Sequence, residues 1–193
     1  MKYLKYAINY ILSFGYDMWH FFFGDMRSRI MGLPYYKKSK QYPGYLKQGN
    51  MSAAVLSLAQ TYCTGRGLDV GGGPWPFPGA RTIEDHMEEN AYKIQEQDGS
   101  IDFIFSSHTL EHLAQWKDAL REWHRILKPG GVMFLYLPHA ACEMWEKGIN
   151  PQHVWTPTSE IICQTVREEL SMTVEQSTSL PDGFLSFIVV VKK

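Results

Sequence analysis

Short apolar runs recur along the chain at 68–70, 100–105, 132–137 and 183–191, each rich in branched or aromatic residues and bounded by glycine, proline or polar positions. Such runs are too brief for helices and predict strands buried in a sheet. Between them the apolar spacing changes to three and four. Trp116, Leu120, Trp123 and Leu127 predict one helix; Met51, Val55, Leu58, Ala59 and Tyr62 predict another; Ile161, Ile162, Val166 and Leu170 predict a third, with Ser159 as its cap. A short strand is expected at 81–83, ending at Glu84 and Asp85, and a hairpin-like pair around Pro181, Asp182 and Gly183. Strand, helix, a Pro129-Gly130-Gly131 break and strand again make a parallel crossover, so the chain predicts an α/β domain.

Two stretches break the pattern. Pro74, Pro76 and Pro78 alternate just where the first crossover helix should begin, which excludes a regular helix and predicts an extended loop. One side of the sheet is thereby left to be covered by the N-terminal segment or by a second copy of the chain, so a homodimer is one expectation. Residues 139–158 carry few helix signals, and loops at the carboxyl ends of parallel strands form ligand crevices. Trp145, His153 and Trp155 are therefore the substrate-side candidates.

Residues 1–48 read as a separate appendage before a domain spanning 49–193. Positions 1–50 hold eight basic side chains against two acidic ones, in a chain of net charge −1. Tyr3, Tyr6, Tyr10, Phe14, Trp19 and Phe21 to Phe23 accompany Leu4, Ile8, Ile11 and Leu12 at helical spacing. A helix of this kind suits either a cap over the sheet or substrate pocket, or contact with an anionic membrane surface. Lys5, Asn9, Asp17 and His20 interrupt it, so it is not expected to span a bilayer. The run from Tyr35 to Lys40 mixes aromatics with cations but is short enough to be a solvated loop, and nucleic acid is not an expected partner. Three scattered cysteines and no Cys-x-x-Cys pair exclude a disulfide framework and a zinc knuckle, and a cytoplasmic, membrane-peripheral at most, location is the expectation.

The chemistry begins at Asp69-Val70-Gly71-Gly72-Gly73, an acidic strand end followed by a turn where backbone can approach a ligand closely. With the block from Ser100 to Leu113 and Leu127-Lys128-Pro129-Gly130-Gly131, this resembles the class I S-adenosylmethionine-dependent methyltransferases, in motif order and spacing across about residues 65–139. The resemblance implies a Rossmann-like, doubly wound, mostly parallel seven-stranded sheet with an antiparallel last strand, here with an N-terminal helical appendage and a shortened first crossover. It also implies S-adenosylmethionine as cofactor and S-adenosylhomocysteine as product.

Site residues carry over position by position. The resemblance assigns Asp69, Gly71, Gly72 and Gly73 to the cofactor turn, Glu84 with Asp85 to the ribose hydroxyls, Asn90 and Ala91 to the adenine, and Ser106 to the end of the fourth-strand motif. Methyl transfer from a sulfonium needs mainly orientation and exclusion of water, so a base is required only for an acceptor that must lose a proton. His139 and His108 are the candidates. His108-x-x-Glu111-His112, with His153 downstream, is similar to a Glu-x-x-Glu-His through which some members bind a divalent metal. The same Glu-His also serves metal-free members as a packing element, and no metal is expected.

The implied activity is methyl transfer to a small-molecule, sugar or lipid-linked glycan acceptor. Ser106-Ser107-His108-Thr109 stands where methylation of DNA bases would call for an Asn-Pro-Pro-Tyr-like motif. Two alternatives remain open: a peripheral-membrane methyltransferase acting on a lipid or quinone, and a non-catalytic cofactor-binding scaffold.

Overall fold

The computed structural model describes residues 51–85, 88–141 and 152–193. The expected appendage, Cys142 and Trp145 lie outside them. Six strands form one sheet among the described residues, rather than seven: β1 Gly67–Val70, β2 Arg81–Ile83, β3 Ile101–Ser107, β4 Leu127–Pro138, β5 Thr173–Ser177 and β6 Ser186–Lys192. Their spatial order is β2-β1-β3-β4-β6-β5, with β2, β1, β3 and β4 parallel and β6 antiparallel to both of its neighbours.

Among the described residues three α-helices accompany the sheet: α1 Leu56–Tyr62, preceded by a 3-10 turn at Met51–Ala54, α2 Trp116–Ile126, and α3 Ser159–Glu168. Of the apolar positions that predict α2, Leu120 and Trp123 are fully enclosed, together with Ile126, while Trp116 is partly buried and Leu127 begins β4. Trp123 is tied down further, its Nε1 donating to Ala91 O at 2.9 Å, which spares the indole N–H an unsatisfied burial. Together with Ile162 and Val166 of α3, this surface packs on Leu68, Val70, Ile104, Met133, Leu135, Val189 and Val191. The cap of α3 is Thr158 rather than Ser159: Thr158 has extended backbone, and its hydroxyl accepts from Ile161 N at 3.2 Å.

Strand residues alternate between faces, and the other face is aromatic. Phe103, Phe105 and Phe134 lie here, with Phe77 set 5.5 Å from Phe103 and 4.8 Å from Phe105, and Tyr62 of α1 6.2 Å from Phe134, centroid to centroid. Phe77 belongs to the proline-rich connection between β1 and β2, which holds no helix. A single buried ring on an extended loop thus occupies part of the surface that a crossover helix would cover.

Candidate active site

β1 and β3 are neighbours, yet the chain leaves β1 toward β2 on the opposite side before returning to β3. This reversal opens a crevice at the carboxyl ends of the two strands, the usual ligand position in an open α/β sheet. The glycine turn leaves β1 at that point. Gly71 has φ +84 and its N–H donates to Ile83 O at 2.9 Å, continuing the β1–β2 pairing into the turn. A Cβ on Gly71 would stand 2.1 Å from Thr109 Oγ1, so the turn lies directly against the start of the segment after β3. A Cβ on Gly72 would meet Asp69 Oδ2 at 2.6 Å, whereas Gly73, at φ +53, faces open space.

Two carboxylates set the electrostatics of the turn. Glu84, directly after β2, accepts from Gly73 N at 2.7 Å through one oxygen, and the other has no hydrogen bond among the described residues. Asp69 is 1% exposed; one oxygen accepts from Phe77 N at 2.6 Å and the other has no partner. Burial pushes the Asp69 carboxyl up to about 7, the Phe77 amide opposing the shift and the charge of Glu84 adding to it. Asp85 follows, exposed.

Several of the remaining expected residues are committed elsewhere. Asn90 Oδ1 accepts from Tyr92 N at 2.9 Å and closes a local turn, so the oxygen expected at the adenine is already engaged. Ala91 is buried against α2. Ser106 is fully buried, and its hydroxyl donates to Val70 O at 3.0 Å, bracing β3 on β1 instead of facing a ligand. The uncommitted hydroxyl belongs to its neighbour Ser107, which is buried without a partner at the end of β3 and which strand alternation sends to the opposite face.

Both expected bases are bound. His139 Nδ1 accepts from Ala141 N at 2.9 Å, which obliges Nε2 to carry the proton and donate to Ser179 O at 3.2 Å. No ring lone pair is left to take a proton. His108 contacts Ser186 Oγ through Nε2 at 2.9 Å, packs its ring edge-on to Tyr136, and is pushed down to about 3 by burial, with the neighbouring His153 and His112 adding to the shift. It is neutral and weakly basic at ordinary pH. Its backbone lies in the left-handed region, φ +51, a conformation costing roughly 1 kcal/mol in a non-glycine residue. Trp155 stacks on Trp116 at 4.4 Å and donates to Leu110 O at 2.8 Å, a brace between the 152–158 segment and the body of the domain. His153, the remaining substrate-side candidate, is 3% exposed. None of these commitments is visible in composition or spacing, because their partners come from β1, α2, the 110–112 turn, β6 and the loop before it, or from tight local turns.

Glu111 is the second buried acid. It is fully enclosed at the Leu110–His112 3-10 turn, and neither oxygen accepts a hydrogen bond from another residue. Burial pushes it up to about 8, its own amide offsetting part of the shift. Three imidazoles surround Oε1: His108 Nδ1 at 3.5 Å, His112 Nε2 at 3.7 Å and His153 Nε2 at 3.9 Å.

A glycine turn at a sheet's switch point, with an acidic residue closing the next strand, defines a nucleotide-type cofactor site on a Rossmann-like scaffold. Residues 48–135 match the family described as a methyltransferase domain. The match spans somewhat under half of the chain, and the fold around it is that of solved S-adenosylmethionine-dependent methyltransferases. Solved structures share the fold. A Thermotoga maritima protein described as a possible histamine N-methyltransferase aligns at 16% identity over 91% of this chain and 99% of its own, TM-score 0.57. The 1,6-didemethyltoxoflavin-N1-methyltransferase of Burkholderia thailandensis, solved with 1,6-didemethyltoxoflavin and S-adenosylhomocysteine, aligns at 13% over 90% and 89%, TM-score 0.55. An Aquifex aeolicus S-adenosylmethionine-dependent methyltransferase aligns at 16% over 78% and 98%, TM-score 0.52. No curated protein matches the chain in sequence.

Proposed function

We propose that this chain methylates a small-molecule acceptor, a sugar or lipid-linked glycan included. The observation that carries the reading is the turn itself: Gly71 admits no side chain against Thr109, Gly73 is open, and Glu84 keeps one carboxylate oxygen available beside it. That cradle fits an adenosine-type ligand, with Gly71 to Gly73 giving close backbone approach and Glu84 accepting from a ribose diol. Bound S-adenosylmethionine supplies a methyl already activated on a sulfonium. The chain's own work is to align the acceptor and exclude water, and the carboxyl ends of β3 and β4 stand where an acceptor would enter. With both ring nitrogens of His139 engaged and His108 buried as a weak base, the reading favours an acceptor atom that carries its lone pair at neutral pH, such as an aromatic amine or heterocyclic ring nitrogen. The small acceptor named for the Burkholderia thailandensis neighbour supports the same reading by analogy of fold alone.

Calorimetric titration with S-adenosylhomocysteine tests the site. The parent is expected to bind in the micromolar range and Glu84→Ala roughly 10-fold or more weakly, since hydrogen bonds to a charged acceptor contribute about 1.5–3 kcal/mol. Labelled methyl transfer to a panel of small amines, phenols and sugars then tests the acceptor. Absence of binding by the folded parent overturns the cofactor site, and transfer solely to protein or nucleic acid overturns the acceptor class.

A further inference from the structure

We propose that Glu111, His112 and His153 form a binding site for one divalent transition-metal ion of the zinc type, with His108 as an outer partner. The inference rests on this cluster and is independent of the methyl acceptor. The three residues each offer one donor atom, all within 4.8 Å of one another. Glu111 Oε1 lies 3.7 Å from His112 Nε2 and 3.9 Å from His153 Nε2. Ligand atoms on a tetrahedral ion with bonds of about 2.0–2.2 Å are roughly 3.3–3.5 Å apart, so the two Glu111–histidine pairs need a contraction of a few tenths of an ångström and the widest separation, within 4.8 Å, one of about an ångström, which a turn of the half-exposed His112 ring supplies.

The cluster does not close as a hydrogen-bond network, its contacts to Glu111 Oε1 standing at 3.5–3.9 Å, and its donor atoms suit a cation. His112 Nδ1 sits 2.9 Å from Gln152 O, a carbonyl that can only accept, so Nδ1 carries the proton and Nε2 presents a lone pair toward Glu111. A lone pair and a carboxylate oxygen then face each other at 3.7 Å, beyond hydrogen-bond length. The carboxylate is fully buried, and no other residue donates to either oxygen. A buried acid without donors is costly, and a bound cation removes that cost. The Nδ1–H to backbone carbonyl contact is also the outer-shell bond that metal-bound histidines commonly make to fix ring orientation.

The fold brings these residues together through a clip. Val154 N donates to Glu111 O at 3.0 Å, Trp155 Nε1 to Leu110 O at 2.8 Å, and His112 Nδ1 to Gln152 O, so the 152–155 segment is fastened along the 110–112 turn and delivers His153 beside Glu111. His112 and His153 meet edge to face at 4.8 Å between centroids. His108, which belongs to the same motif, is turned toward Ser186 by Nε2, and its Nδ1 stands 3.5 Å from Glu111 Oε1. Two imidazoles and one carboxylate favour zinc, cobalt or iron over magnesium, and three protein ligands leave a coordination position for water or another ligand.

The test uses the full chain, stripped with a chelator and dialysed, then titrated with Zn²⁺ by calorimetry and with Co²⁺ by visible absorption. Expected are one ion per chain, a Co²⁺ d–d spectrum of low-symmetry N/O coordination, and a rise in Tm with Zn²⁺ that Mg²⁺ does not reproduce. His112→Ala is expected to weaken Zn²⁺ binding 100-fold or more and to abolish the thermal shift; His153→Asn is expected to do the same. His108→Asn is expected to weaken binding about 10-fold, the scale of an outer-shell loss. Folding of each variant is checked by circular dichroism, and S-adenosylhomocysteine binding, measured in parallel, reports on the cofactor site separately. Zn²⁺ binding by the parent no tighter than by folded His112→Ala, or a Co²⁺ spectrum unchanged by that substitution, overturns the proposal.

Discussion

Asp69 ends β1 with one carboxylate oxygen held by Phe77 N–H, the other unpartnered, and its pKa raised by burial to about 7. Because the folded chain keeps this proton to about 7 while the unfolded chain releases it near 4, the folded state binds more protons between those values. Stability contributed by neutral Asp69 is therefore complete below about pH 4, falls as pH rises to about 7, and is gone above it. Asp69→Asn removes the titration, so its urea stability relative to the parent should improve from pH 5 to pH 8 by about 2 kcal/mol, since each tenfold difference in proton affinity between the folded and unfolded chain is worth ~1.4 kcal/mol. Parallel pH profiles for the two proteins would refute this. At this scale the motif residues were legible in the sequence, since a glycine turn after an acidic strand end has few other uses. What occupies each polar atom was not: Ser186 binds His108 from 78 positions away, and Ser179 binds His139 from 40.

Elements were more legible than atoms wherever hydrophobic period and length agreed. α2 and the strands are dictated by apolar spacing and by the glycine or proline that ends each run. β4 is longer than its apolar run because Leu127 already pairs with Ile101, after which the register shifts across Lys128 to Gly131 before Val132 meets Phe103. The connection between β1 and β2 shows what a missing helix requires. Phe77 is buried between Phe103 and Phe105 while Trp75, two residues earlier, is 41% exposed, so one ring anchors the whole loop to the aromatic face. Phe77→Ala is expected to cost about 3–5 kcal/mol in denaturant unfolding, the range for a buried aromatic truncation, whereas Trp75→Ala should cost under ~1 kcal/mol. Equal effects at the two positions would mean that the loop is held by its backbone and not by this ring.

Across the whole molecule, the sheet divides its tasks along its width. β2, β1 and β3 carry the cofactor turn, Glu84 and the buried Glu111 cluster at their carboxyl ends, while β6 enters antiparallel between β4 and β5 and pairs β4 from Val132 to Pro138. β6 is fastened at its other end by Lys193, whose ammonium donates to His124 O at 2.6 Å and Leu127 O at 2.8 Å, closing the carboxyl end of α2. No helix among the described residues is long and apolar enough to cross a membrane. A ligand seated at the switch point bridges turns that are otherwise joined by few bonds, namely Gly71 N to Ile83 O and Gly73 N to Glu84, so its stabilisation should be local in space though scattered in sequence. At 100 times its dissociation constant, S-adenosylhomocysteine adds about 2.7 kcal/mol, enough to raise Tm by several degrees in a chain of this size. Hydrogen exchange with the ligand bound should slow at residues 71–75, 84–85 and 107–109. Residues 173–177 and 186–192 should respond only through the global gain in stability. Protection concentrated on the β5–β6 edge, with the glycine turn unchanged, would move the cofactor away from the switch point and with it the role assigned to Glu84.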